Sequence, residues 1–134
     1  SVGAGDTVAH GFTTATEPPF SVKANWADKV DKAPLERVSL KDLIATQPTV
    51  RRDHVRAFIE NPGVVIPGQR ALSGQLVDRP VVVRTGKSTY ILDGHHRLAA
   101  KQLLGDQETL ARVVYVDSPA NQGEPYNVGA EVTK

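Results

Sequence analysis

The residues best able to do chemistry stand together as Asp93-Gly94-His95-His96-Arg97. They follow the short apolar run Tyr90-Ile91-Leu92, whose aromatic and β-branched residues predict a buried strand. From His95 to Leu104 the residues are strong helix formers. Leu98, Ala99, Ala100, Leu103 and Leu104 make a wide apolar stripe, and Gly105 is a stop. The pattern predicts strand, tight turn and helix, with Asp93 as the N-cap and both histidines and the arginine in the first helical turn. Free backbone N–H groups and the positive end of the helix dipole lie there too, which makes an anion site, above all for phosphate. Arg97 can offer a planar fork to phosphate oxygens. The competing reading has Asp93 as a cap and the histidines in solvent; the position directly behind an apolar strand favours phosphate.

The elements that must position this motif lie on both sides of it. Leu35 to Val38 reads as a strand. Ser39, with Asp42 three residues on, opens a predicted helix with Leu40, Leu43 and Ile44 on its apolar face; Thr46-Gln47-Pro48-Thr49 ends it. A second helix is predicted from Arg51 to Glu60, with Val55, Phe58 and Ile59 inward. Its start concentrates Arg51, Arg52, Asp53 and His54, which read alone is a solvated charged face. A Gly/Pro-rich connection over 61–79 holds a possible strand at Val64 to Ile66. Pro80 to Arg84 is a β-branched strand that turns at Thr85-Gly86-Lys87 into the Tyr90 strand, and Thr109 to Val116 is a last strand buried on both faces. The expected order is β-α-α-β-β-α-β, an α+β fold with a small mixed sheet and helices packed on it. Residues 1–34 are expected to be an extended arm or linker, 35–117 the domain, and 118–134 a polar tail.

Bulk properties narrow the function less. The chain has 134 residues, enough for one domain with a real core, and a net charge of +1, which demands neither nucleic acid nor membrane as partner. Residues 35–117 carry twelve basic and nine acidic side chains, a modest excess. There is no cysteine, so disulfides, thiolate metal sites and cysteine nucleophiles are excluded. No stretch reaches the roughly 18 apolar residues of a membrane helix, and the start lacks the basic and apolar regions of a signal peptide. With no initiator methionine, the chain is read as a piece of a longer parent protein.

Two decoys fail on spacing. Gly86-Lys87-Ser88 lacks the upstream glycine of a P-loop, since Val81 stands there, and a strand rather than a helix follows. His95 and His96 are adjacent on a helix and point about 100° apart, so they are poorly placed to chelate one zinc ion. Asp93 is the better metal candidate, holding Mg²⁺ beside a nucleotide phosphate.

Leu92 to Ala100, after a hairpin and before a glycine-terminated helix, resembles the signature of the ParB/sulfiredoxin superfamily. Arg37 to Leu43, Arg51 to Ile59 and Asp78 to Val83 resemble its flanking pieces, so the likeness covers about 36–117. It implies a nucleotide site for ATP or CTP with Mg²⁺, in which Gly94, His95, His96 and Arg97 touch phosphates and Asp93 orients the motif, binds Mg²⁺ or acts as base. Arg51, Arg52 and His54 would be the second cationic element. The motif is most similar to the DGHHR type of the free-serine kinases. His95 stands where the sulfinate reductases have cysteine, which excludes their reaction. No carboxylate occupies Thr46 to Thr49, where the serine kinases have their base, and no helix-turn-helix region follows as in the partition proteins. The expectation is a Mg²⁺-dependent NTPase or phosphotransferase with Asp93, His95, His96 and Arg97 as catalytic candidates. The alternatives are a ParB-like nuclease or DNA-binding module, with His54, His95 or His96 moving protons, and a non-catalytic module docked on a larger protein. Short domains of this kind resemble some in phage-encoded or effector-type proteins, so the expected location is the cytoplasm or a phage or effector particle.

Overall fold

A computed structural model describes residues 6–20, 22, 26–61, 79–116 and 125–126. The elements run β1 (Thr7–Val8), β2 (Thr13–Thr14), α1 (Trp26–Asp31), β3 (Leu35–Ser39), β4 (Leu43–Ala45), β5 (Val50–Arg51), α2 (Arg52–Glu60), β6 (Val81–Thr85), β7 (Ser88–Asp93), α3 (His95–Leu103), β8 (Glu108–Val116) and β9 (Pro125–Tyr126). The fold is α+β. Seven strands form one mixed sheet in the order β2-β4-β7-β6-β8-β3, with β9 beside the end of β8, while β1 and β5 pair separately. β6 and β7 form the expected antiparallel hairpin, and β6 and β8 run parallel. The expected strand at Val64 to Ile66 lies outside the described residues, as does most of 118–134.

Alternation on the central strands sorts the core. Val82, Ile91, Ala111 and Val113 face Leu98 of α3, together with Leu40, Leu43 and Ala45. Val81, Val83, Val114 and Val116 face the other way, onto Trp26 and Val30 of α1. A third cluster joins α2 to α3 through Val50, Val55, Phe58, Ala99 and Ala100. β8 is therefore buried on both faces, as its run of apolar residues predicts.

Two expectations are corrected. The predicted helix after Ser39 is only a 3-10 turn, Leu40–Asp42, followed by strand β4, and Ser39 makes no side-chain cap. Leu43 and Ala45 are buried with half-buried Ile44 between them, a period of two that the spacing of Leu40, Leu43 and Ile44 also permits. The strand wins because β4 fills a gap in the sheet, hydrogen-bonded to β2 on one side and β7 on the other. Within its described residues, the arm expected over 1–34 packs on the domain. β1 and β2 pair with β5 and β4, and α1 plugs one face of the sheet with Trp26, which is fully buried and stacked on Phe20 at 5.7 Å. Finally, Leu103 and Leu104 do not extend the apolar stripe: they are 71% and 49% exposed, because α3 ends there and the chain turns away. Gly105 (φ +87) closes that end, its N–H donating to Gln102 O and that of Asp106 to Lys101 O.

The junction of β7 and α3 depends on Gly94. Its φ is +95, and a Cβ there would lie 3.1 Å from the Pro80 Cα. Both the left-handed backbone and the backbone neighbour penalise a side chain. Gly94→Ala is expected to destabilise the fold by about 2 kcal/mol or more, read as a lower urea midpoint with unchanged m-value.

Candidate functional site

Gly94, rather than Asp93, is the N-cap of α3, and no side chain caps the helix. Asp93 is spent as the last residue of β7, paired with Val81, which carries it past the cap position. The first helical bond runs from Leu98 N–H to Gly94 O at 2.9 Å. The N–H groups of His95, His96 and Arg97 precede it and have no acceptor within the helix.

Successive residues of a helix point about 100° apart, so the three polar residues of the motif reach three different neighbours. His95 turns inward. Its Nε2 accepts the N–H of Thr46 at 3.0 Å, and the Thr46 hydroxyl donates to Ile91 O at 2.7 Å. This ring is 5% exposed, and burial, followed by the repulsion of His10 and His96, lowers its pKa to about 4. His95 is therefore a neutral acceptor at pH 7 and not the phosphate-facing cation expected of it. His96 turns toward α2, where its ring meets His54 edge to face with centroids 5.0 Å apart. Burial and the neighbouring His54 lower the pKa of His96 to about 4 as well. Arg97 lies over the Phe58 ring at 4.5 Å and is 7% exposed, so packing takes up much of its guanidinium.

The first turns of α2 and α3 meet, His54 against His96, and Phe58, one turn further along α2, meets Arg97. Two positive helix ends thus lie close together. At this junction His54 Nδ1 and His96 Nε2 are both buried and bond to nothing. Arg51, the N-cap of α2, forks onto Asp53 at 3.1 and 2.7 Å, and Asp53 accepts the His54 N–H at 2.8 Å. The Arg51 contact holds the Asp53 carboxyl at about 2, and Arg51 is raised in turn. Arg52 occupies the first helical position, its N–H bonded to Asp6 O at 2.8 Å. Burial pushes the Asp93 carboxyl up, opposed by the Gly94 N–H.

The structure thus brings Gly94, His96, Arg97 and His54 to one place, with Asp93 at its edge, and turns His95 away. Residues that sequence reasoning did not assign complete the frame: Thr46, Phe58 and His10, whose Nε2–H donates to Gln47 O at 2.8 Å. The spacing Val55-Phe58-Ile59 marks Phe58 as inward-facing, but nothing local marks His10 or Thr46. Among the described residues no group of three or more His, Asp or Glu side chains could hold a metal ion, and no helix is long and apolar enough to cross a membrane. No family model matches the chain, and a search of curated proteins finds no match.

Two outcomes follow. His95→Ala leaves the Thr46 N–H without an acceptor and is expected to destabilise by about 1–3 kcal/mol; His95→Gln, with Oε1 near the Nε2 position, recovers most of that in urea titrations at pH 7. His95 and His96 have a usual pKa of 6.5 in the unfolded chain and about 4 in the folded one. Between those values the unfolded chain binds more protons, so their contribution is complete above about pH 6.5 and is lost as pH falls toward about 4. The urea midpoint should fall across this window, and the fall should be smaller in His95→Gln.

Proposed function

We propose that the paired first turns of α2 and α3 bind a phosphate group of a nucleoside triphosphate, and that the domain is a Mg²⁺-dependent NTPase or phosphotransferase. One observation carries this reading: two buried imidazole nitrogens, His54 Nδ1 and His96 Nε2, have no hydrogen-bond partner where two helix N-termini meet. A buried polar atom without a partner costs about 1–3 kcal/mol. A ligand with several acceptor oxygens recovers that cost, since each ring can turn an N–H toward it. The N–H groups of the first turn of α3 supply further donors. The resemblance of the Asp93 to Arg97 motif to ParB/sulfiredoxin domains supports the same site, with ATP or CTP as ligand.

Within this reading each side chain has a task. His54 and His96 hold non-bridging oxygens, and Arg97, braced on Phe58, adds positive charge behind them. Asp93 would be the group to hold Mg²⁺, which would offset phosphate charge there. Alternatively its carboxylate, raised by burial, accepts the proton of an attacking hydroxyl while the new O–P bond forms and the bond to the diphosphate leaving group breaks. His95 supports the turn without touching ligand.

Calorimetric titration with ATP and CTP, with and without Mg²⁺, is the test. Binding by one triphosphate is expected, weakened about tenfold or more in His54→Ala and in His96→Ala with the circular dichroism unchanged. No binding at millimolar ligand would overturn the reading. Binding of oligonucleotides in its place, weakening with salt, would move it to a nuclease or DNA-binding module.

A further inference from the structure

The site helix is tied to the N-terminal segment by way of two adjacent residues, Thr46 and Gln47. Thr46 gives its N–H to His95 at 3.0 Å, in the first turn of α3. The next residue, Gln47, takes a hydrogen bond on its carbonyl from His10 at 2.8 Å. The two imidazoles stand 6.5 Å apart. His10 is itself held from its own segment, because Nδ1 accepts the Phe12 N–H at 3.0 Å. That bond fixes the tautomer and leaves the proton on Nε2, where the Gln47 carbonyl needs it. The ring is 6% exposed, so the clasp is shielded from water.

The same segment is otherwise lightly attached. β1 and β2 contribute two residues each to their ladders, and Asp6 O receives the Arg52 N–H at the start of α2. Val8 and Phe12 rest on the apolar cluster between α2 and α3. A cleft of about 240 Å³, lined by Val8, His10, Val50, Val55, Ala99 and Leu103 among others, runs beneath it. Ladders of two residues hold the segment less firmly than the five-residue ladder between β6 and β7 holds the central hairpin. The segment therefore reaches the first turn of α2 through Asp6 and that of α3 through His10.

We propose that residues 6–15 are a regulatory strap: clasped by His10 onto the Gln47 carbonyl, next to Thr46, they fix the first turns of α2 and α3 and so set how tightly those turns bind phosphate. This rests on the phosphate-site reading above. His10 is a positioning residue, separated from the ligand by Gln47, Thr46 and His95. Coupling of this kind is reciprocal, so phosphate binding must also tighten the strap.

The experiment uses the full chain with inorganic triphosphate as probe, which removes any contribution of the base. In the wild type, saturating probe should slow hydrogen exchange of the Val8, Phe12 and Thr14 amides about fivefold or more. His10→Ala should weaken probe binding about tenfold. His10→Gln, whose amide N–H reaches the Gln47 carbonyl, should restore affinity to within about threefold. A merely structural histidine would leave wild-type exchange unmoved by the probe. Unchanged exchange, or equal affinity in the wild type and His10→Ala, overturns the strap and leaves the phosphate site standing. If the wild type does not bind the probe, the phosphate site fails and the strap's role falls with it. Should His10→Ala not fold, the wild-type exchange measurement decides.

Discussion

A strand can pass straight into a helix only where one residue takes a backbone conformation that neither element uses. Gly94 is that residue, at φ +95 and in near-contact with Pro80. Everything at the candidate site follows from this junction. It aims the start of α3 along the end of β7, and it places three polar residues in the first turn. It also leaves the first N–H groups without a capping side chain. A residue with a Cβ would strain the turn and push on the backbone before β6. The hairpin β6–β7, the parallel β6–β8 pair and α3 therefore hold one another in register around a single glycine.

The histidines show how burial decides the use of an ionisable group. The sequence has four, and all four gather near the start of α3, in the pairs His10–His95 and His54–His96. For His95 and His96, loss of water outweighs every other influence and keeps the rings neutral at pH 7. A neutral imidazole both donates and accepts, which a cation cannot do, and His95 uses that property to satisfy the Thr46 N–H. The cluster is thus a hydrogen-bonding device before it is a charged one. Fixed positive charge near the site is also tempered, since Arg51 is forked onto Asp53 and Arg97 is stacked on Phe58.

Unpartnered polar atoms do not all carry the same meaning. Trp26 Nε1 is also buried without a partner. Burying a side chain of that size contributes roughly 4–6 kcal/mol, at about 25 cal/mol per Å² over 150–250 Å². Leaving one N–H unpaired offsets only about 1–3 kcal/mol of that. Packing alone therefore accounts for Trp26, which anchors α1 on the sheet beside Phe20 and Val30. An imidazole has far less apolar surface to offer. Burial offsets less of the cost of the unpaired His54 and His96 nitrogens, and the two stand together, beside two helix N-termini. That imbalance separates a candidate site from a core residue.

By itself the sequence determined the α+β class, the β6–β7 hairpin, the helices from about Arg51 and His95, and the place of the motif at a strand-to-helix turn. These are legible because they rest on local rules: β-branched runs, helical periodicity, and glycine where the chain must turn. Tertiary structure decided the rest. Leu40 to Ala45 became a turn and a strand because the sheet needed β4 between β2 and β7. Asp93 lost the cap position to the pairing of β7 with Val81. His95 and His96, indistinguishable in the sequence, were separated by the 100° between adjacent helical residues, one toward Thr46 and the other toward His54. His10 and Thr46 carry no local signal, because their partners lie 37 and 49 residues away, and only the folded chain brings those groups within hydrogen-bonding distance.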